Sequence, residues 1–304
     1  MTIGISLNTV DTGNAVDTAV QHARRAAEAG IGSVWFGQRY DYDAITLAGI
    51  VGREVPELTV GTSAVPIFAR HPLLVVSQAQ TVQAATQGRF QLGLALGAPA
   101  LVESTFGIAY ERPVELVREF LTVARSLVDT GTADHHGELL TAAPSRPTTI
   151  AGAGTDLPLL VAAMGPRALR ASGELADGIL PFLAGPRVLE TSIVPQVSAA
   201  ASDAGRPPIR VIAFVAAIVT DDVAAGRAAA EDAMAFYDSI PSYQRVVAAE
   251  GLDRAAELVL VGSAAEVRAG IRRYYDAGAT EVVVTQSGLL GLETQYETWD
   301  AIAR

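Results

Sequence analysis

Short β-branched and apolar runs alternate along the chain with longer stretches whose apolar positions recur at helical spacing, the pattern of successive βαβ units on a parallel sheet. Ile3–Leu7 reads as the first strand and Ser33–Phe36 as the second. Between them a helix is predicted from Asn14, suited to cap its N-terminus, to Ala29, ending at Gly30 where a left-handed residue costs little. A helix over about Asp43–Arg53 leads through Pro56 to a third strand, Leu58–Val65, whose threonine and valine suit a buried strand. Pro72 opens the next helix, where its missing N–H costs nothing. Phe90–Leu96 is the fourth strand. The next helix, about Val114–Asp129, is delayed by a Gly/Pro-containing segment, Gly97–Pro113, longer than a simple βα loop. Residues 131–156 lack sustained periodicity and read as an excursion over the barrel mouth or a short hairpin.

Leu159–Ala163, Asp177–Pro181, Ile209–Val219 and Glu281–Thr285 complete eight strands. Helices are predicted after Arg167, near Pro186–Ala204, through the alanine-rich Val223–Ala249, over Ser263–Ala277, and at the end over Glu293–Ala303. Eight strands with intervening helices favour an α/β fold closed as a (β/α)8 TIM barrel, with insertions at its C-terminal mouth, over an open doubly wound sheet. Such barrels commonly fill roughly 250 residues as one domain, so residues 1–304 are expected to form a single domain.

Composition narrows the function classes. Hydrophobic residues are 50% of the chain and charged residues 18%, which supplies a large core. Asp and Glu number 33 against 22 Lys and Arg, a net charge of −11 with no dense basic patch, which argues against nucleic acid as a partner. With no cysteine there is no disulfide or thiolate chemistry. No basic leader precedes an apolar stretch, and no apolar run approaches the roughly 18 residues of a membrane span, so a cytoplasmic protein is expected.

In a parallel barrel the reactive groups sit where strands end at the C-terminal face. That rule selects Asn8, Gly37–Asp41, Ser63–His71, Gly97–Thr105, Met164–Arg167, Pro181–Arg187, Thr220 and Gln286–Gly288. No G-x-G-x-x-G opens a helix after a strand, and there is no P-loop, H-E-x-x-H or nucleophile elbow, so nicotinamide, nucleoside triphosphate and zinc readings lose their usual support. His135 and His136 are adjacent, their side chains diverge, and no carboxylates flank them at ligand spacing; they read as a solvated loop, and no metal is expected. His22 lies in the first helix and reads as a surface or helix-packing residue. His71, in Arg70-His71-Pro72 at a helix start, is placed to orient a mouth loop, cap the helix or contact a ligand.

The stretch Gly61-Thr62-Ser63-Ala64-Val65-Pro66, then Arg70-His71-Pro72, then Gln80 to Phe90 (QTVQAATQGRF) with Gly93, resembles the third-to-fourth-strand signature of the luciferase-like flavin-dependent oxidoreductases. Ser33 to Gln38, Gly165 to Leu169, Ala176-Asp177-Gly178, and Val261-Gly262-Ser263 with Ala277 to Val284 extend the resemblance over roughly residues 1–288. Within the family the chain is similar to the branch using the deazaflavin coenzyme F420, which includes methylene-tetrahydromethanopterin reductase. The resemblance implies a luciferase-like barrel and a bulge with a non-prolyl cis peptide at Ser63–Ala64, bracing the back of a flavin or deazaflavin ring. It also implies a cofactor phosphate over the later βα loops. On that basis Asn8, Phe36, Gln38, Ser63 and Ala64 are expected to line the cavity floor, with Met164, Gly165 and Arg167 nearer the phosphate. The alternative for the last three is a plain strand-to-helix turn with a surface arginine. A homodimer acting on a small-molecule substrate is expected.

A deazaflavin passes a hydride from its ring carbon, so the protein must align the substrate, exclude water and sometimes supply a proton. Some F420-dependent relatives place an acid or histidine after the second strand and a glutamate after the fourth. Here Gln38 and Arg39 follow the second strand, and Glu103 is the first carboxylate after the fourth. Glutamine cannot serve as a general acid near neutral pH, so the catalytic residue is left unassigned. Gln38 is a candidate through hydrogen bonding, and Asp41, Glu103 and Tyr110 are candidate proton donors. Three functions follow: an F420-dependent oxidoreductase, an FMN-dependent luciferase-like monooxygenase, or a non-catalytic ligand-binding barrel. Nothing in the sequence names the substrate.

Overall fold

A computed structural model of the chain describes residues 2–7 and 13–303. The first strands are β1 (Thr2–Ser6), β2 (Ser33–Phe36), β3 (Thr59–Thr62) with its continuation β4 (Val65–Pro66), and β5 (Phe90–Ala95). A two-stranded hairpin follows, β6 (His135–His136) against β7 (Thr141–Ala142), within the expected mouth excursion. Then come β8 (Leu159–Ala162), β9 (Gly178–Ile179), β10 (Arg210–Val219), β11 (Leu260–Gly262) and β12 (Glu281–Thr285). The ring runs β1-β2-β3/β4-β5-β8-β9-β10-β12, all parallel, and closes where β12 meets β1 from Thr2↔Glu281 to Ile5↔Val284. This is the expected eight-stranded TIM barrel. β11 lies outside the ring, pairing only with the far end of β10, Ala217↔Leu260 to Val219↔Gly262. Three residues are too short a run to stand out as a strand in the sequence.

Helices surround the strands: α1 (Ala15–Ala29), α2 (Ala44–Glu54), α3 (Pro72–Ala85), α4 (Pro99–Phe106), α5 (Pro113–Thr130), α6 (Pro166–Leu175), α7 (Pro186–Val188), α8 (Val194–Asp203), α9 (Val223–Met234), α10 (Pro241–Glu250), α11 (Ala264–Asp276) and α12 (Leu292–Ile302). Their ends follow local chemistry. Asn14 Oδ1 accepts from the Val16 amide at 2.9 Å, and Gly30 at φ 94° closes α1. α4 sits inside what the sequence suggested was an irregular segment, although Pro99 at its first turn and left-handed Gly107 at its end are ordinary helix punctuation. The stretch read as helical over 223–249 breaks between α9 and α10, where Pro241 lacks the N–H that a continuous ladder needs. Likewise α7 and α8 are joined by a π-turn, Leu189–Ile193, next to Pro195.

The apolar residues form three clusters, one of them where Ala216 and Ile218 of β10 pack against α9, α10 and β11, and alternation along the barrel strands separates the other two. Val34, Phe36, Leu92, Leu94, Val282 and Val284 point outward into the main core beneath the helices. Trp35, Leu160, Leu180, Ile212, Phe214 and Val283 point inward and fill the lumen. At the N-terminal end of the lumen the inward residues are polar. Arg210 donates to Glu281 Oε2 at 3.0 Å and to Gln91 Oε1 at 2.7 Å, while Ser33 Oγ donates to Glu281 Oε1 at 2.6 Å. These bonds tie β2, β5, β10 and β12 across the barrel bottom. On the seam between β12 and β1, the Tyr275 hydroxyl donates to the Thr2 carbonyl and accepts from the Val282 amide at 3.3 Å.

Glu281 is only 4% exposed, so removing its partner leaves a buried charge. Arg210→Met is expected to destabilise the fold by about 3 kcal/mol, the low end for a buried pair because Arg210 is partly solvated; urea unfolding monitored by circular dichroism measures it. A second expectation concerns alkali. Burial, reinforced by neighbouring Tyr237, pushes the Tyr243 hydroxyl up to about 12, and burial does the same for Tyr275. Both phenols ionise near pH 10 once unfolded. Their contribution to stability is therefore complete below about pH 10 and lost as pH rises towards 12, so the urea midpoint should hold to about pH 10 and then fall. Tyr275→Phe should flatten that fall.

Candidate active site

At the C-terminal end of the barrel lies a cavity of about 790 Å³. Its floor is the top inward layer, and the strands supply small side chains there: Ser6, Gly37, Ser63, Ala95 and Ala162. One layer below, the lumen is filled by the Trp35 indole, which packs edge-on to Phe214 with ring centroids 5.7 Å apart. Large residues beneath and small residues above leave the space at the mouth.

The third strand breaks at this level. β3 pairs with β2 up to Phe36↔Thr62, and β4 resumes against β5 at Val65↔Leu94. Between them Ser63 and Ala64 lose their pairing with β5 and line the cavity, although the Ser63 amide still donates to the Phe36 carbonyl at 2.8 Å, and the peptide joining them is cis, as the family resemblance implied. The missing rung is replaced by a side chain: Thr62 Oγ1 accepts from the Gly93 amide and donates to the Gly93 carbonyl, each at 2.9 Å. A Cβ at residue 93 would collide with the Thr62 carbonyl, so glycine is required there.

Across the ring from β3/β4 stands β10, four strands away in either direction. Its Phe214, with Phe182 beyond β9, begins an aromatic wall that Tyr237, between α9 and α10, and Tyr243, in the first turn of α10, complete. Phe182 meets Tyr237 at 5.1 Å and Tyr243 at 5.9 Å, and the two tyrosines meet at 5.2 Å, all edge to face. Burial moves the ionisation of Tyr237, as of Tyr243, to higher pH, so both hydroxyls stay neutral at physiological pH. Thr285 also lines the cavity, and its buried Oγ1 has no hydrogen-bond partner among the described residues.

The residues expected from the sequence divide into two groups. Ser63, Ala64, Met164, Gly165 and Arg167 line the cavity. Arg167 is 73% exposed and pairs with Glu115 on α5. Asn8 lies outside the described residues. Phe36 does not line the cavity, contrary to expectation: it follows inward Trp35 by one residue, so alternation turns it outward into the main core. Gln38 does not line it either. Its Nε2 donates to the Arg39 and Tyr42 carbonyls at 2.6 and 2.8 Å, and its Oε1 accepts from the Ala44 amide at 3.2 Å and from Arg70 at 3.1 Å. All its hydrogen-bonding capacity is spent on shaping the loop into α2.

Asp41 is paired with Arg39 at 3.1 Å on the surface, and Glu103 accepts from the Tyr110 amide at 3.3 Å outside the cavity. Tyr110 lines the cavity, donating its hydroxyl to the Gly97 carbonyl at 3.1 Å, and burial moves its ionisation to higher pH. His71 caps α3: Nδ1 accepts from the Leu73 amide at 3.2 Å, which leaves Nε2 to donate to the Thr141 carbonyl at 2.9 Å and strap the hairpin down. His22 packs between α1 and α12 against Tyr296 and Trp299. Among the described residues no group of three His, Asp or Glu side chains could hold a metal, and no helix is long and apolar enough to cross a membrane.

The sequence reading missed Phe214, Tyr237, Tyr243 and Arg245, all on the cavity wall. A signal existed for the first: Arg210 is a charged residue in an otherwise apolar strand, and Ile212 and Phe214 share its face.

The family model described as luciferase-like monooxygenase matches residues 1–281. Among curated proteins, the chain is 26% identical over 269 residues to a 5,10-methylenetetrahydromethanopterin reductase of Methanolobus tindarius, covering 88% of this chain and 80% of that protein. It is 24% identical over 231 residues to a Mycobacterium tuberculosis protein provisionally named a coenzyme F420-dependent oxidoreductase, covering 70% of this chain and 65% of that one, just under two thirds. In three dimensions it matches, with a TM-score of 0.79 at 16% identity over 100% of this chain and 97% of the other, a type II Baeyer-Villiger monooxygenase of Pseudomonas putida in complex with FMN. That likeness concerns the fold alone. The matched span takes in the broken third strand, the cavity lining except Thr285 and Gln286, and every barrel strand but the last four residues of β12, and on that ground the chain belongs to the luciferase-like monooxygenase family of enzymes.

Proposed function

We propose that this chain, acting as one domain over residues 1–304, is an F420-dependent oxidoreductase that moves a hydride between the deazaflavin and a small organic molecule. The observation that carries the reading is the single cavity joining the Ser63–Ala64 break to the N-terminus of α6. Its residues fit a tricyclic ring with a phosphorylated tail. The unpartnered Thr285 hydroxyl offers a hydrogen bond at the floor, and a Cβ at Gly165 would meet nothing within 4 Å, which leaves room for a ligand to approach the backbone. Among the described residues no side chain caps α6, which leaves its first-turn amides for an anion, with the Arg167 guanidinium beside them. The choice of F420 over FMN is supported by the sequence relatives, which are named for deazaflavin and methanopterin chemistry, whereas the FMN protein shares only the fold.

When bound, a deazaflavin supplies a ring carbon that gives or takes a hydride. The chain's own part is to hold, orient and dry the reactants. Ser63 and Ala64 present backbone and small side chains where the ring would rest, while Phe182, Phe214 and the two tyrosines exclude water from the opposite side. Tyr110, Tyr237 and Tyr243 are the phenols among the described lining residues, and each is held neutral by burial.

Fluorescence titration is expected to show F420 binding at least about tenfold more tightly than FMN, a preference of roughly 1.4 kcal/mol. Selective FMN binding with oxygen uptake on reduction would move the assignment to a monooxygenase, and binding of neither would favour a non-catalytic barrel. Gly165→Val tests the phosphate end. Residue 165 has an ordinary φ of −81° and open space at its Cβ, so the melting temperature should not change while F420 affinity falls by about tenfold or more. Unchanged affinity would remove the α6 turn from the cofactor site.

A further inference from the structure

The cavity wall facing the Ser63–Ala64 break has its own chemistry. It combines the aromatic cluster of Phe182, Phe214, Tyr237 and Tyr243 with the guanidinium of Arg245 on α10. Arg245 lines the cavity yet makes no hydrogen bond or ion pair among the described residues, whereas Arg167, the other lining cation, is paired with Glu115. No carboxylate is among the described lining residues. Among the described residues the cavity lining is thus positive, on a chain whose net charge is −11.

We propose that this wall is the substrate side of the cavity and that it selects a ring-bearing, largely apolar small molecule carrying one anionic group, the ring against the aromatic cluster and the anion at Arg245. The inference rests on the cofactor reading for the position of the opposite face, but its own observations are independent of which cofactor binds.

Aromatic rings set edge to face offer an apolar surface that favours a flat partner. Arg245 is exposed, so its pull is that of a rim charge: modest in size, sensitive to salt, and felt in selectivity more than in total affinity. A lone cation above an aromatic bay is more useful to an anion than to a neutral ligand. Its position on α10 matters too, because α10 carries Tyr243 as well, and one short helix therefore supplies both ring and charge recognition.

Calorimetric titration of the chain, alone and with F420 present, with naphthoate and with its neutral counterpart naphthamide tests this. Naphthoate is expected to bind about fivefold more tightly, an advantage that shrinks with added salt. Arg245→Met should erase the preference while leaving naphthamide binding and the melting temperature unchanged, and Arg245→Lys should keep part of it. Tyr237→Leu should weaken both ligands. Equal binding of the two probes, a preference that survives in Arg245→Met but vanishes in Arg167→Met, or displacement of F420 by naphthoate would overturn the proposal. If F420 does not bind but the Arg245-dependent preference is present, the cofactor reading fails and the substrate wall stands.

Discussion

The constraint on which the rest of the molecule depends is the small volume of an eight-stranded lumen, and one side chain, the Trp35 indole, takes the middle of it. Its Nε1 donates to Ser33 Oγ at 2.9 Å, so the ring is held from the same strand that carries it. The neighbouring strand must then give way: a Cβ at Gly61 would lie 2.5 Å from the indole carbons. Phe214 closes on its edge from across the barrel. A packed middle layer seals the barrel below, so whatever binds above meets a floor and not a channel. The polar layer beneath, Arg210 with Glu281, Gln91 and Ser33, occupies the same inward positions one step down, where strand ends admit enough water to solvate part of the arginine.

The site follows from a local conflict in the third strand. A continuous strand from Thr59 to Pro66 would bury residues 63 and 64 in the ladder with β5. Thr62 resolves this by offering its hydroxyl as both donor and acceptor to Gly93, so that β5 keeps its hydrogen bonds while two residues are released towards the cavity. An unsatisfied buried amide and carbonyl would cost roughly 1–3 kcal/mol each, which explains why threonine and glycine occur together across the break. Valine at 62 would keep the shape and lose the clasp.

The elements of the barrel were legible because helices and strands differ in period and because Asn14, Gly30, Pro72 and the glycines of the Gly61–Gly93 signature mark real boundaries. Which way each strand residue points was harder to read. Strands buried on both faces are apolar at every position, so period-two alternation is hidden, and nothing in the run Ser33–Phe36 tells outward Phe36 from its lumen-facing neighbour Trp35 except the serine that starts it. The polar starts of strands carried the missing phase: Ser33, Gln91, Arg210 and Glu281 all face inward, and counting by twos from each gives the lumen lining. Gln38 shows a different limit. Its position after a strand is that of a ligand contact, and only the backbone partners at Arg39, Tyr42 and Ala44 reveal that it is fully engaged in the loop.

The described lining residues contain phenols and guanidiniums but no carboxylate and no imidazole. Burial holds Tyr110, Tyr237 and Tyr243 above their ordinary range, so across neutral pH these cavity groups do not change charge. On the function proposed, rate and selectivity would rest on shape, dryness and the guanidiniums of the lining and not on a titrating pair. The carboxylates that the sequence offered are employed elsewhere, Asp41 on Arg39 and Glu103 on the Tyr110 amide, and nearby Asp43 caps α2 and pairs with Arg70. Burial works to raise the Asp43 carboxyl, yet bonds from Thr46 and Arg70 outweigh it and hold the group below its usual range, which fits an anchor for the loop and not a proton donor. The loop acids therefore fix the frame, and the chemistry falls to whatever the small-residue floor and the aromatic wall clasp between them.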